Sequence, residues 1–307
     1  MKRTIGETLR VLVVAAGLGW GAGSGVVLAV EQQLQFDTPE AAAAALVVAA
    51  QANDEEALVR IFGERHRDLL GIASKGFEQA SRERFVRAAG EYRLLRPEAD
   101  GRLTLVVGAQ AWPFPVPLVR AGAAWRFDTD AGRGEIINRR IGANELAAID
   151  TLHAYVQAQR EYATVPRDDN RVRVFARKVR SSPGKRDGLY WDADEAKGEE
   201  PSPLGPLIPD ARQRQRGEPY NGYHFKILTR QGAAAPGGAY SYIINGHMVA
   251  GYAMVAFPAE YGRTGIMSFI VNHYGEVYQK DLGPQTAQRA VTMVDYNPDA
   301  SWTRVSD

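Results

Sequence analysis

Residues that could carry out a reaction are sparse in this chain, and their spacing matches no familiar site. The five histidines have no short ligand spacing; they are His66, His153, His224, His247 and His273. There is no Gly-x-Ser-x-Gly elbow, phosphate loop, dinucleotide glycine fingerprint or His-Glu-x-x-His. The last three histidines could form a zinc site only if the fold brought them together. The sequence therefore predicts no metal or other cofactor, and it favours a protein that is not an enzyme while leaving that point open.

The most unusual polar stretch is 187–195, in which four acids surround Gly188, Tyr190 and Trp191. Carboxylate oxygens at this density could bind calcium, but the spacing differs from that of a helix–loop–helix calcium loop. Two carboxylates beside aromatic rings also suggest a glycosidase, which would require the acids to face each other across a bond. We favour a solvated acidic loop anchored by its two aromatic residues.

Aromatic residues become dense after residue 220. They are Tyr220, Tyr223, Phe225, Tyr240, Tyr242, Tyr252, Phe257, Tyr261, Phe269, Tyr274 and Tyr278. Such residues more often form cross-strand pairs and a half-buried core than a ligand or partner surface. We favour the core interpretation and keep the binding surface as the alternative.

Composition and charge exclude several classes of protein. The 307 residues include 37 basic and 36 acidic side chains, a net charge of +1, which gives no reason to expect nucleic-acid binding. The chain has no cysteine, which excludes disulfides, thiolate zinc sites and cysteine catalysis. An ordinary apolar fraction of 45% is typical of a globular protein.

The N-terminus has the order of a secretory signal. Lys2, Arg3 and Arg10 precede twenty uncharged residues, 11–30, and small residues follow at the end of that run. We predict a signal peptide over 1–29 with cleavage near Ala29. The alternative is an uncleaved anchor, because twenty apolar residues can span a bilayer.

The next segment predicts helices. Thr38 is a good N-cap followed by Pro39 at the first helical position, and the alanines that follow favour a helix. Asn53 with Glu56 three residues later predicts a second capped start. Residues 81–91 predict a third helix.

Strands are predicted after these helices, at 103–108 and 123–127. Three alternating prolines in 112–117 restrict that segment to a sheet edge or an extended connection. We expect three aromatic side chains to pack in the first core, namely Trp112, Trp125 and Phe127.

The best helix signal spans 144–163, where apolar residues form one stripe made of Leu146, Ile149, Leu152 and Val156. Residues 181–219 are rich in proline, glycine and serine, which predicts a long loop.

From residue 220 the period changes toward two, which predicts an antiparallel meander. Its strands are 223–229, 240–244, 247–257, 266–272 and 277–281. The turns are an Asn245-Gly246 hairpin and a looser turn at 273–276. We expect the 144–163 helix to cover one face of this sheet and the other face to meet solvent or a partner.

Several stretches together resemble the bacterial family called domain of unknown function 2950. They include Trp112-Pro-Phe-Pro-Val-Pro-Leu-Val119, Gly184-Lys-Arg-Asp-Gly-Leu-Tyr-Trp191, and the segments 125–132, 139–146, 202–207 and 219–229. The resemblance covers about residues 36–305 and implies an exported bacterial protein without an established reaction. Candidate binding residues lie in or beside these stretches: Arg139, Arg140, Asp187, Tyr190, Trp191, Asp192, Tyr220 and Tyr223.

Two further resemblances concern architecture. The first half is similar to cone-shaped folds of the nuclear-transport-factor-2-like kind, which implies a pocket for a small molecule. The second half resembles the globular part of type II secretion pseudopilins, through the helix after Asn144 and strands such as 222–228 and 253–258. About 110 residues separate the apolar N-terminus from that helix, whereas a pilin joins the two directly.

Together these features predict an α+β protein with an N-terminal domain at 36–134 and a pilin-like domain at 135–305. We expect an exported envelope protein, periplasmic or secreted, with a non-enzymatic binding or assembly role. The expected partner is an envelope or secretion-system protein, and membrane contact would involve only an uncleaved N-terminal segment. The alternatives are a pseudopilin-like accessory of a secretion system, and small-molecule binding or hydrolysis in the N-terminal domain.

Overall fold

Helices and mostly antiparallel sheets alternate along the computed structural model, which describes residues 33–69, 75–167, 172–208 and 217–306. The α-helices of this part of the chain are α1 (Pro39–Gln51), α2 (Glu55–Phe62), α3 (Lys75–Glu91), α4 (Thr129–Tyr162) and α5 (Thr286–Thr292), with 3-10 helices at Glu64–Leu69 and Glu195–Lys197. The predicted α+β class is confirmed. The predicted signal peptide at 1–29 lies outside the described residues.

The helix starts follow local capping chemistry. Thr38 caps α1 as predicted, because its Oγ1 accepts a hydrogen bond from the Ala41 N–H at 3.1 Å. The predicted cap at Asn53 is wrong by one residue. Asp54 accepts from the Ala57 N–H at 2.9 Å, while Asn53 takes a left-handed conformation with φ +54°.

The first sheet contains the predicted strands at 103–108 and 123–127. Its members are β1 (Arg93–Pro97), β2 (Leu103–Val107), β3 (Trp112–Pro113), β4 (Leu118–Ala121) and β5 (Ala124–Phe127). They run in the order β1-β2-β4-β5, with β3 paired to β2. The proline-rich segment therefore supplies only a two-residue strand at an edge, as predicted.

The expectation for the first core is right for Phe127 and for Trp125, which packs against that core, and wrong for Trp112. Phe127 is fully buried, whereas Trp112 is 42% exposed and Trp125 is half-buried. The Arg139 guanidinium lies 4.5 Å from the Trp112 ring centroid and covers it in place of the core. Its strand has only two residues and pairs with β2 alone, so the Trp112 ring lies at the margin of the core, 6.4 Å from the Phe114 ring centroid.

Helix α4 is much longer than the predicted 144–163. It begins at Thr129, where Asp128 accepts a hydrogen bond from the Ala131 N–H at 3.4 Å. Nothing between these ends breaks the helix, because isolated glycines are tolerated there and no proline occurs. The predicted start at Asn144 is therefore wrong.

The buried stripe of α4 differs from the predicted apolar one. Leu152 and Val156 are buried as expected, but Leu146 is 67% exposed. The buried side chains fall at spacings of three and four and include polar ones: Asn144, Ala148, Thr151, Leu152, Tyr155, Val156, Ala158, Gln159 and Tyr162. The buried tyrosines and amides set the rotation of the helix about its own axis. Leu146 therefore lies on the solvent-exposed face of the helix.

The central sheet has five antiparallel strands in the order β15-β13-β12-β11-β6. They are β6 (Tyr223–Leu228), β11 (Ala253–Pro258), β12 (Met267–Asn272), β13 (Val277–Asp281) and β15 (Thr303–Arg304). Helix α4 packs on β11 and β12 of this sheet, as expected.

The remaining strands lie outside this sheet, so the prediction of one meander is wrong for 240–248. A three-stranded sheet joins β7 (Arg230–Gln231), β8 (Tyr240–Ser241) and β14 (Asp295–Tyr296), and a separate hairpin joins β9 (Ile243–Ile244) to β10 (His247–Met248). The predicted Asn-Gly turn of that hairpin is confirmed, with φ +49° at Asn245 and +83° at Gly246.

Both faces of the central sheet are covered, which corrects the expectation of one free face. On the α4 side, Glu145 accepts hydrogen bonds from the Ile266 and Met267 N–H groups at 3.0 and 2.9 Å. On the other side, Lys226 of β6 donates to the Met293 carbonyl just after α5 at 2.7 Å. Every residue of β11 is buried as a result.

Two hydrophobic cores lie along the chain. The first gathers residues such as Leu46, Leu105 and Phe127, and the second gathers residues such as Tyr155 and Phe269. Helix α4 contributes to both cores, since Ile136 packs on the first and Leu152 belongs to the second. The division into domains at 36–134 and 135–305 stays a prediction. Among the described residues, no helix is long and apolar enough to cross a membrane.

Candidate binding surface

The acidic loop holds itself together through its own charges. Asp187 accepts hydrogen bonds from Lys178 Nζ at 2.6 Å and from the Ser182 N–H at 2.7 Å. The Lys178 hydrogen bond, helped by those of Ser182, lowers the pKa of Asp187 to about 2. The carboxylate closes a turn instead of facing an open ligand site.

Ser182 and Lys178 have the distance of a serine–lysine catalytic pair, but the same lysine nitrogen also binds a third side chain. Lys178 Nζ donates to Ser182 Oγ at 2.8 Å and to the Asp187 carboxylate at 2.6 Å. Ser182 Oγ donates to Asp187 as well, at 3.1 Å. The three side chains thus bind one another, and they stabilise the turn.

We expect Asp187→Asn to lower the free energy of unfolding at pH 7 by roughly 1 kcal/mol, a value discounted because the side chain is over one-third exposed. The folded-state pKa lies below the unfolded value of about 3.9. The contribution is therefore complete above that value and is lost as pH falls toward about 2. Urea unfolding at pH 7 and pH 2.5 measures this. In a Lys178→Met background the difference should shrink, and a difference at pH 2.5 as large as the one at pH 7 would contradict the assignment.

The aromatic anchors of the loop are engaged by neighbouring arginines. Two guanidiniums lie near the Trp191 ring, Arg167 at 4.9 Å and Arg186 at 5.5 Å from its centroid, and both arginines pair with Glu200. Its indole N–H donates to the Glu200 carbonyl at 2.9 Å. The prediction of a loop anchored by its aromatic residues fits this packing.

Tyr190 and Asp192 form a second group in the same loop. The Tyr190 hydroxyl donates to Asp192 at 2.9 Å, and the Arg180 guanidinium lies 4.7 Å from the Tyr190 ring. Arg180 also approaches Asp192 at 3.8 Å. Of the four predicted residues in this loop, Tyr190 and Asp192 thus contact each other, while Asp187 and Trp191 bind separate neighbours.

The other predicted binding residues lie elsewhere. Arg139 donates to Glu135 at 2.6 Å and to the Pro113 carbonyl at 2.8 Å, and Arg140 donates to the Leu69 carbonyl, so both tie α4 to the N-terminal half. Tyr220 pairs with Tyr223 through two backbone hydrogen bonds. The Tyr223 side chain is fully buried and donates to the Met267 carbonyl at 2.8 Å.

A cluster that the sequence analysis did not single out lies where β12 turns into β13. We call it the aromatic turn and define it as Tyr240, Tyr242, Tyr252, His273 and Tyr274. The His273 ring lies 5.9 Å from Tyr242, 6.1 Å from Tyr252 and 4.4 Å from Tyr274 between ring centroids. Tyr274 is 57% exposed, so its ring is presented at the surface on a half-buried imidazole.

Backbone geometry fixes this cluster. Asn272 Oδ1 accepts from the Tyr274 N–H at 3.1 Å, and the His273 N–H donates to the Tyr252 carbonyl at 3.1 Å. Gly251, at φ +149°, passes so close that a Cβ there would lie 2.8 Å from both His273 Nδ1 and the Tyr242 ring. Two hydrogen bonds and the close approach of Gly251 thus fix the start of the predicted looser turn at 273–276.

Burial favours the neutral forms of three groups in the aromatic turn, His273, Tyr242 and Tyr252. Burial lowers the pKa of His273, and the nearby Arg160 charge adds to that effect. Burial raises the pKa of both Tyr242 and Tyr252. Uncharged rings of this kind offer stacking and hydrogen bonds to a ligand, whereas a nucleophile would need an ionised or base-activated group.

Within the ranges that the structure describes, no three His, Asp or Glu side chains come together as metal ligands would. His224 packs on Phe257 at 5.5 Å, and His273 belongs to the aromatic turn.

Comparison with known proteins gives one result. A family model described as "Protein of unknown function (DUF2950)" matches residues 33–305. The chain belongs to this family. No curated protein and no solved structure matches the chain. The family assignment predicted from the sequence is confirmed, while the pseudopilin and cone-fold resemblances stay predictions.

The DUF2950 match spans the first sheet, the central sheet, the acidic loop and the aromatic turn. It also spans an open cleft of about 420 Å³ in the first half, lined by polar residues such as Glu98, Arg102 and Thr104 and by apolar ones such as Phe114. The family description assigns none of these residues a role. Only their geometry therefore distinguishes one candidate binding site from another.

Proposed function

We propose that this DUF2950 protein is exported to the bacterial envelope and acts there by binding another protein through the aromatic turn. Export is supported by the basic residues before the uncharged run at 11–30 and by the small residues near Ala29. The binding role is supported above all by Tyr274, which is 57% exposed on a rigid, partly buried support.

The chemistry around Tyr274 suits protein recognition. Tyrosine and arginine are enriched among the residues that dominate interface energies, because they combine an apolar body with polar groups. Arg160 lies beside the turn and donates to the His273 carbonyl at 3.4 Å. Since the turn is already held by hydrogen bonds, little conformational entropy would be lost when a partner binds.

Catalysis is a weaker interpretation of the same cluster. A general base of the histidine type needs a group that orients it toward the substrate. His273 Nδ1 is enclosed and lacks a hydrogen-bond partner in the described structure, so no carboxylate orients the ring through that atom. The neutral tyrosines nearby supply no nucleophile.

The test uses a photoreactive residue in living cells of the native host. Tyr274→p-benzoylphenylalanine should give a discrete cross-linked protein product on irradiation, and mass spectrometry of the envelope fraction should find the chain cleaved near Ala29. The control is Val48→p-benzoylphenylalanine on α1, where the native side chain is 64% exposed.

Equal products from positions 274 and 48 would contradict the proposed binding surface. A product released only when the wall polysaccharide is digested would reassign the ligand to a glycan. Recovery of the chain with intact Met1 in the soluble cytoplasmic fraction would contradict export.

A second candidate function uses the cleft in the first half. If that half has the cone-shaped fold suggested by the sequence, the cleft between Arg102 and Phe114 could hold a small molecule with one polar and one apolar side. The ring of Trp112 lies 6.4 Å from Phe114, so its fluorescence should report an occupant. The pseudopilin-like accessory role stays a prediction.

A further inference from the structure

Strand β1 is an edge of the first sheet, and its outer side pairs with no strand in the described part of the chain. A short exposed edge of this kind is a template for pairing with another strand. The groups that β1 presents there can be derived from its register with β2.

Two hydrogen bonds fix which backbone groups point outward. The Gly108 N–H donates to the Tyr92 carbonyl at 3.0 Å, and the Glu98 N–H donates to the Arg102 carbonyl at 2.8 Å. In an antiparallel pair, hydrogen-bonded residues alternate along the strand. Residues 94 and 96 therefore bond to β2, while Arg93 and Leu95 direct their N–H and C=O groups to the open edge.

Side chains on β1 divide between two faces. Leu95 packs on the first core together with Leu105 of β2. Tyr92, Leu94 and Arg96 lie on the opposite face by the period of two. Tyr92 and Leu94 are each 46% exposed, which is high for large apolar side chains on a strand.

We propose that a second copy of this chain pairs with β1 in antiparallel register about a two-fold axis through Leu94. Arg93 of each copy then lies opposite Leu95 of the other, and their outward N–H and C=O groups form four hydrogen bonds. Leu94 meets Leu94 of the second copy in the closer, non-hydrogen-bonded position.

The outward side chains are complementary in this register. Tyr92 of each copy lies opposite Arg96 of the other, where the guanidinium can stack on the ring. No like charges face each other, and the two exposed apolar side chains of each copy are both covered.

Neighbouring registers are worse for identifiable reasons. A two-fold axis through Arg93 or Arg96 would place an arginine opposite its own copy, which is unfavourable. An axis through Leu95 would pair Arg93 with Pro97, which has no N–H to donate. The sequence of β1 thus selects the register centred on Leu94, and it selects a second copy over an unrelated strand.

The absence of cysteine from the chain permits a direct test of register. Leu94→Cys should give a disulfide-linked dimer of the full-length chain under mild oxidation, because facing Cα atoms in this position are about 4.5 Å apart. Arg96→Cys is the matched control, since its own copy would lie about four residues away along the strand. Equal cross-linking by both variants, or none by Leu94→Cys, would overturn the proposal.

Sedimentation velocity of the full-length chain over a concentration series tests the dimer itself. Leu94→Lys should weaken association about tenfold by placing like charges on the axis. Arg93→Pro removes an outward N–H without removing a bond to β2, so it should weaken association while Arg93→Ala does so less. A parent chain that stays monomeric at every concentration would overturn the proposal. This result is independent of the cross-linking at Tyr274, which tests the aromatic turn.

Discussion

Replacing Gln159 with leucine is expected to lower the free energy of unfolding by about 3–4 kcal/mol, because two buried main-chain groups would lose their partner. Gln159 is fully buried in α4. Its Oε1 accepts from the Ala176 N–H at 2.8 Å, and its Nε2 donates to the Ala176 carbonyl at 2.8 Å. Leucine has a similar size but could satisfy neither group.

The loss should be concentrated where the loop meets the helix. Ala176 is itself buried, and the adjacent Phe175 ring lies 4.7 Å from Tyr252 of the aromatic turn. We therefore expect faster amide exchange at 174–190 in Gln159→Leu, together with a weaker cross-link from position 274.

Gln157→Leu is the matched control, since Gln157 lies two residues earlier on the same helix and is exposed. It should change stability by no more than about 0.5 kcal/mol. Urea denaturation would measure the free energy of unfolding of both variants. The comparison holds if the slope of that free energy against urea concentration is unchanged. Equal stability of Gln159→Leu and Gln157→Leu would show that the loop does not depend on the buried amide.

The second large effect is expected at Tyr223, where replacement by alanine should cost about 3–5 kcal/mol. The ring is fully buried beside Phe269, with 6.0 Å between centroids. A Cβ at Gly265 would overlap the Tyr223 phenol, so glycine at that position gives the ring its space. Removing the ring would leave a cavity between β6, β12 and the 259–266 loop.

Tyr223→Phe separates the contribution of the hydroxyl to stability from that of the ring. It keeps the packing and loses only the hydrogen bond to the Met267 carbonyl, which should cost about 1 kcal/mol. In thermal and urea unfolding, the parent should be the most stable of the three proteins, followed by Tyr223→Phe and then by Tyr223→Ala. If Tyr223→Ala kept the parent stability, Tyr223 would be available for ligand binding, as the sequence analysis proposed.

Local chemistry made part of this fold predictable. Thr38 with Pro39 specifies a helix start, and Asn245-Gly246 specifies a hairpin turn, through contacts within three or four residues. The three prolines of 112–117 likewise restrict that segment to an edge, because each lacks an N–H. The family membership and the α+β class follow from motifs and periodicity that need no tertiary information.

The orientation of α4 could not be predicted in this way. Counting apolar residues favoured a stripe with Leu146, but the helix buries Gln159 instead, because that amide bonds to Ala176 seventeen residues later. A polar side chain is buried when distant groups satisfy it, and a periodicity count has no access to those groups.

The same reason separates the site predicted from the sequence from the one proposed from the structure. The acids and aromatics of 187–192 stood out as types in one short segment, but the structure pairs them with Lys178, Arg167 and Arg180. The aromatic turn joins residues from β8, from the segment before β11 and from the end of β12. The sequence by itself determined the residue types, the caps and the turns. Only the tertiary structure decided which side chains meet, because the contacts that His273 makes with Tyr252 and Tyr242 join residues 21 and 31 positions apart.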